Sequence, residues 1–359
     1  MSKDFLKLFI IAFTLKAFLA CKGQVRSESK TKEKFIKKAD EMLSENVEQI
    51  WSVFQDSKRN YWFGSDNSGV YCYDGKSAKR FTTNDGLMAN DIRDIQEDDK
   101  GNILIETPKG ISIFNGHSFE SIDIIQSPSN KWILEPNDLW FNFNGNSEHA
   151  YRYDGRNLYE LRLPEQDIGR TLGIYKTNPS FSPYSIYGIN MDKKGNLWIG
   201  TLVAGAFRFD GSSFLWVGEE ELSTLKDGRV PGVRSMLEDK NGYMWLSNFK
   251  SKYKINSNSE GYEKIKTADH IQKSTGDKLP YFNSGLIASN GDLWMTTYHG
   301  GVWVYNGESL ENYEVHNGRE TVLLITIYQD RDGIIWLGTR NDGVYKQDDR
   351  GFAKFDFKA

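Results

Sequence analysis

Five histidines, His117, His149, His270, His299 and His316, are the first places to look for acid–base or metal chemistry in this chain. No two have the His-x-x-x-His spacing that puts a pair of imidazoles on one helix face around a metal ion. No Gly-x-Ser-x-Gly stretch marks a nucleophile elbow. Glu97-Asp98-Asp99-Lys100-Gly101 and Gln329-Asp330-Arg331-Asp332-Gly333 look superficially like calcium loops. Both lack the rest of such a loop and its terminal Glu. A tight turn, in which the Asp side chain bonds to nearby backbone and Gly takes a positive φ, accounts for both. No metal and no cofactor is therefore expected. Carboxylates are plentiful, so a lyase or hydrolase working through Asp, Tyr or Arg stays open as the alternative.

The elements that would position any such residue come from an internal repeat. One copy runs Ile189-Asn190-Met191-Asp192-Lys193-Lys194-Gly195-Asn196-Leu197-Trp198-Ile199-Gly200-Thr201, then Gly205 to Gly211, then Ser213-Phe214. It reads as a strand, a Gly-containing turn, a strand centred on Trp, a loop, a strand ending in Asp-Gly, and a fourth strand. The order recurs around Trp62, Leu104, Trp140, Trp245, Trp294 and Trp336. Trp62 and Trp336 lie 274 residues apart, six steps of about 46, the size of a four-stranded propeller blade. The sequence predicts an all-β, seven-bladed propeller of antiparallel four-stranded blades over residues 47–359. One such sheet cannot bury both its faces, but stacked blades bury each other's.

With strands A to D running outward, the B–C and D–A loops share one face. The long connections 164–185, 217–232 and 266–282 are all D–A loops and fall there, where sites on rigid scaffolds gather. The first carries Tyr175, Phe181 and Tyr184, with Tyr187 just beyond. The B–C loops add Asp66, Lys109, Asn144, Asn248, Tyr298, His299, Arg340 and Asp342. His299, in Thr297-Tyr298-His299-Gly300-Gly301, is the best single polar candidate. The candidate ligand-binding set is His299, Tyr298, Arg340, Asp342, Asn248, Asp66, Tyr184 and Tyr187. Aromatic side chains there could stack on sugar rings, or could simply cover blade edges.

Composition agrees with this architecture. Aromatic residues make up 14% and Gly is abundant, with 33 residues against 8 Pro, as in a turn-rich β protein. The formal charge of −4 and the lack of a basic stripe argue against a nucleic-acid partner. The N-terminus is different. Lys3 and Lys7 precede an apolar run from Leu8 to Leu15, too short to span a bilayer. It reads as a secretory signal ending in a lipobox-like Ala17-Phe18-Leu19-Ala20-Cys21, with Cys21 as the lipidated residue. Residues 22–46 read as a polar tether and a short helix with Phe35, Ile36, Ala39, Met42 and Leu43 on one stripe. That leaves Cys72 as the one cysteine of the body, without a disulfide partner.

The pattern Ile-x-x-Ile-x-x-Asp-x-x-Gly-x-Leu-Trp-Ile-Gly-Thr, followed by Gly-Gly-Val/Leu-x-x-Tyr, resembles the two-component regulator propeller repeat. Asn84-Asp85-Gly86-Leu87-Met88-Ala89-Asn90-Asp91-Ile92 is similar to the linker between its blades. The resemblance implies a periplasmic sensor-type propeller, in relatives often the sensing half of hybrid histidine kinases that respond to polysaccharide fragments. A free-standing form without a kinase domain is expected. A lipid-anchored module in the periplasm is expected, binding a glycan, a peptide or an envelope protein. The alternative is a propeller enzyme of the polysaccharide-lyase or antibiotic-lyase type.

Overall fold

A computed structural model describes residues 49–356, apart from 127–128, 130, 175–179, 225–227, 257–259, 272–280 and 319. The expected lipidation site at Cys21, the tether and its short helix, and Tyr175 lie outside the described residues.

Seven four-stranded sheets follow one another along the chain, together with one two-stranded hairpin, His316–Asn317 with Glu320–Thr321. They cover residues 50–81, 94–121, 124–162, 186–217, 236–266, 284–313 and 324–354, so the seven sequence copies coincide with seven blades. The first strands of successive blades face one another around the axis. Between every two neighbouring blades lies one apolar cluster, seven in all. Trp198, Trp245 and Trp336 are fully buried in these seams, each contributing about 2–3 kcal/mol of burial.

The Asp-containing turns have a structural task. The indole N–H of Trp62, Trp198, Trp245 and Trp336 donates to the aspartate six residues earlier, Asp56, Asp192, Asp239 and Asp330, at 2.8–3.2 Å. The same carboxylates accept backbone N–H groups of their own turn. The Asp330 run is thus a turn that anchors its tryptophan.

The ring closes by packing and side-chain bonds, without a strand shared between the first and last blades. Tyr61 donates to Asp330 at 2.7 Å, and Arg59 pairs with Asp332 at 2.8 Å. Phe355 packs against Phe63, Tyr73 and Trp336.

Blade three departs from the expected pattern of four antiparallel strands. Its Trp-bearing strand, Leu139–Phe141, is the innermost of its sheet. Among the described residues no strand lines the axis in this blade, and a fourth strand, Ile124–Gln126, lies on the outside, parallel to Leu158–Arg162. With the inner strand goes its Asp turn, and the Trp140 indole N–H is left buried without a partner.

Side chains of blade two take the place of the missing strand. In blade four, Gly188 and Gly200 are cross-strand partners. A Cβ on either would meet backbone oxygens of blade five, Arg234 O at 2.4 Å and Val233 O at 2.1 Å. The equivalent pair in blade two is Asp94 and Glu106. Glu106 fits because no inner strand passes it, and it accepts the Asn142 backbone N–H at 3.4 Å. Gln96 donates to Trp140 O at 2.8 Å, where its counterpart Asn190 donates to Met236 O in the inner strand of blade five. The exposed edge of Leu139–Phe141 is thereby capped.

Candidate functional site

The end of the axis on the B–C and D–A loop face holds a cavity of about 160 Å³. Its wall is built from one repeat position. In six blades an apolar residue stands at the start of the inner strand or two to three residues before it, and in five of them its backbone N–H donates to the B–C loop or strand end of the preceding blade, as from Ile92 to Ser65 O and from Val233 to Thr201 O. The residue that follows faces the axis. These residues are Trp51, Arg93, Tyr187, Arg234, Asn283 and Ile325, and all six line the cavity. Blade three has no inner strand, and Asn144 from its B–C loop stands in the gap. Asn144 holds a left-handed conformation, φ 44°, with its N–H bonded to Asn142 Oδ1 at 2.6 Å. Tyr298 from the B–C loop of blade six completes the rim.

Two guanidinium groups set the electrostatics. Arg93 lies over the Trp51 ring at 4.3 Å and pairs with Asp66 at 2.9 Å. Arg234 lies over the Tyr187 ring at 4.1 Å. Its other partners are neutral, the Pro231 carbonyl at 3.0 Å and the Tyr281 hydroxyl. Among the described residues no carboxylate pairs with Arg234. Burial opposes its charge, but Tyr281, Tyr298 and Tyr187 together hold its pKa above the usual value. Tyr281, pushed up by burial, donates to the Pro231 and Gly232 carbonyls.

Behind Arg93 lies the acid pair Asp94–Glu106. Burial raises both, and the neighbouring Asp94 charge raises Glu106 further, well above the ordinary glutamate range.

Of the residues singled out in the sequence, Tyr187, Tyr298 and Asn144 line the cavity, and Asp66 reaches it through Arg93. The others lie elsewhere. His299 and Arg340 are exposed on the same loop face and do not line the cavity. Asn248 is buried and caps its own loop, accepting from the Lys250 and Ser251 backbone. Asp342 is held by Tyr345 and Lys354 on its own blade. Tyr184 exchanges hydrogen bonds with the Gln166 backbone and packs on blade four, covering its edge. Phe181 is exposed, and Lys109 sits in its Thr107-capped turn. Trp51, Arg93, Arg234 and Asn283 had not been singled out. Their common place in the repeat, directly after the residue that opens strand A, was the signal.

Among the described residues no three His, Cys, Asp or Glu side chains gather as a metal site, and no helix is long and apolar enough to cross a membrane.

Residues 180–202 and 320–341 match the model of the two component regulator propeller family. No curated protein matches the sequence. Among solved structures, the extracellular domain of a hybrid two component system of B. thetaiotaomicron is similar at 21% identity and TM-score 0.54, over 83% of this chain and 37% of that one. This chain thus spans less than two fifths of that domain. Virginiamycin B lyase from Staphylococcus aureus matches at 14% identity and TM-score 0.58, over 84% of this chain and 96% of that one. YCF48 from Cyanidioschyzon merolae matches at 13% and 0.55, over 84% and 95%. At such identities the likeness is one of fold. The chain is a seven-bladed propeller in which two stretches, residues 180–202 and 320–341, match the two component regulator propeller repeat.

Proposed function

We propose that this chain is a ligand-binding propeller of sensor type that works outside the cytoplasm, anchored to a membrane through lipid on Cys21, and that it takes its ligand in the axial cavity. The observation that carries this reading is the convergence of one repeat position. Trp51, Arg93, Tyr187, Arg234 and Asn283 come from five blades to one concave wall. Apolar and aromatic surface with a few convergent polar groups is the usual form of a small-ligand site.

Binding is favoured over turnover. The cavity wall carries no His, Cys, Asp or Glu, so no group with an ordinary general-base pKa faces it directly. His149, His270 and His316 are engaged with Glu160, the Glu308 carbonyl and Glu314. The resemblance to sensor domains supports a glycan as the ligand.

Thermal-shift screening against oligosaccharides and cell-envelope fragments tests the proposal. A stabilising ligand whose effect disappears in Tyr187→Ala is expected. No shift with any compound, or shifts indifferent to Tyr187→Ala, would remove the axial site from consideration.

A further inference from the structure

Taking the axial cavity as the ligand site proposed above, we infer that it is built for a polyhydroxylated carboxylic acid, a uronate-type sugar acid, with Arg234 receiving the carboxylate. Three groups belonging to residues of its wall carry the inference. The first is the Arg234 guanidinium, which faces only neutral partners. A charged fork held among a carbonyl and phenol groups is incomplete without an anion, and carboxylate is its bidentate match.

The second is the Trp51 indole N–H, buried and without an acceptor. The third is Asn283 Oδ1, also buried and unpartnered. The orientation of that amide is fixed, because its Nδ2 donates to the Leu324 and Ile325 carbonyls at 3.1 and 3.2 Å. An acceptor oxygen is thereby left over. Buried polar groups without partners are rare and costly. Here they form a set of one cation, one donor and one acceptor. A neutral sugar answers the donor and the acceptor but not the cation. A plain carboxylate answers the cation and can accept from the indole N–H, but has no hydrogen to give Asn283 Oδ1. A hydroxylated acid answers all three.

Size and balance of charge agree. The cavity, about 160 Å³, is smaller than the roughly 300–1,000 Å³ of drug-sized sites. It suits one sugar residue, with any further chain leaving over the loop face. The second arginine does not compete for the anion, since Asp66 already neutralises Arg93. One monoanion therefore completes the site.

The test is calorimetric titration of the full chain with glucuronate, glucose and acetate, repeated on Arg234→Gln and Arg234→Lys. Glucuronate is expected to bind at least about tenfold more tightly than glucose or acetate. The advantage should vanish in Arg234→Gln and shrink in Arg234→Lys, which keeps the charge but not the fork. Near-ultraviolet circular dichroism checks that both variants keep the native packing. Glucose binding as tightly as glucuronate would overturn the inference while leaving a ligand-binding propeller in place. So would glucuronate binding that is unchanged by Arg234→Gln in a folded protein. If none of the three probes binds, the inference falls, and the proposed function then rests on the neutral members of the wider screen.

Discussion

The Arg234 guanidinium carbon lies 4.1 Å from the centre of the Tyr187 ring, and the same ring presses on Gly145 of the preceding blade. A Cβ at Gly145 would fall 2.3 Å from Tyr187 Cζ. Gly145 also has φ +84°, a conformation that costs other residues about 1 kcal/mol or more. Gly145→Ala should therefore destabilise by about 2–3 kcal/mol. Tyr187→Leu alone should cost about 1 kcal/mol through the lost cation–π contact. In a double-mutant cycle read by urea denaturation, the two effects should be less than additive, because removing the ring relieves the clash. Full additivity would place the Gly145 cost in its backbone alone.

Gly200→Ala tests the close approach of blades four and five. The added Cβ would meet Val233 O at 2.1 Å, and backbone cannot swing away as a side chain can. A loss of about 3 kcal/mol or more is expected in chemical denaturation. A neutral result would mean that the inner strand of blade five moves freely.

Asp330 controls the acid limb of stability. Burial raises its pKa, but donations from Trp336, Tyr61, Ile334 and Asp332 outweigh this and leave it below the ordinary value. Its folded pKa is lower than its unfolded one. The stability it contributes is thus present above the unfolded pKa of about 4 and is lost as pH falls through the folded value. Asp330→Asn should cost about 1–3 kcal/mol at pH 7 and flatten the decline in stability below pH ~4. Denaturation midpoints from pH 7 down to about 2.5 show whether the two curves converge.

Glu106 works in the opposite sense. Burial and the charge of Asp94 raise its pKa well above the usual carboxylate range. The folded protein holds a proton that the unfolded chain releases, so stability falls as pH rises above the unfolded pKa of about 4.3. Glu106→Gln keeps an acceptor for the Asn142 N–H and removes the titration. Its stability should lose that downward slope and exceed wild type at pH 8. A parallel pair of pH curves would show that Glu106 ionises freely in the fold.

Cys72 should be inert in the native state. Burial, helped by Asp56 and Asp74, pushes its thiol up to about 12, and the thiolate is the reactive form. Labelling with iodoacetamide at pH 8 should be negligible until denaturant unfolds the blade. Rapid labelling of the folded protein would contradict this.

The blade count and the order of strands within a blade could be read from the repeat, because Trp-Ile-Gly-Thr and the Asp turn answer local demands that recur in most blades. The site was only partly legible. Asn144, Tyr187 and Tyr298 stand out in the sequence as polar and aromatic residues of the loop face, whereas nothing in the local sequence marks Arg93 or Arg234. Their meaning depends on seven copies converging on an axis, which appears when equivalent positions are compared across blades rather than along the chain. The missing inner strand of blade three also left a trace. Leu104-Ile105-Glu106-Thr107 carries Glu where Trp198-Ile199-Gly200-Thr201 carries Gly. The equivalent position is Gly64, Gly200 and Gly338 in blades one, four and seven, where a neighbouring chain packs close, so a bulky acid there goes with the absence of that neighbour.

The closure of the ring bears on the order of assembly. Six blades form their sheets from consecutive strands, so most pairing joins residues close in sequence and can form quickly. The contacts of Tyr61 with Asp330 and Arg59 with Asp332 join residues 269 and 273 positions apart. Loop-closure entropy places such contacts last. An open arc of nearly finished blades, exposing the faces of Trp336 and Phe63, should therefore precede the closed ring, and its lifetime would govern how long the protein is prone to stick to another copy of itself.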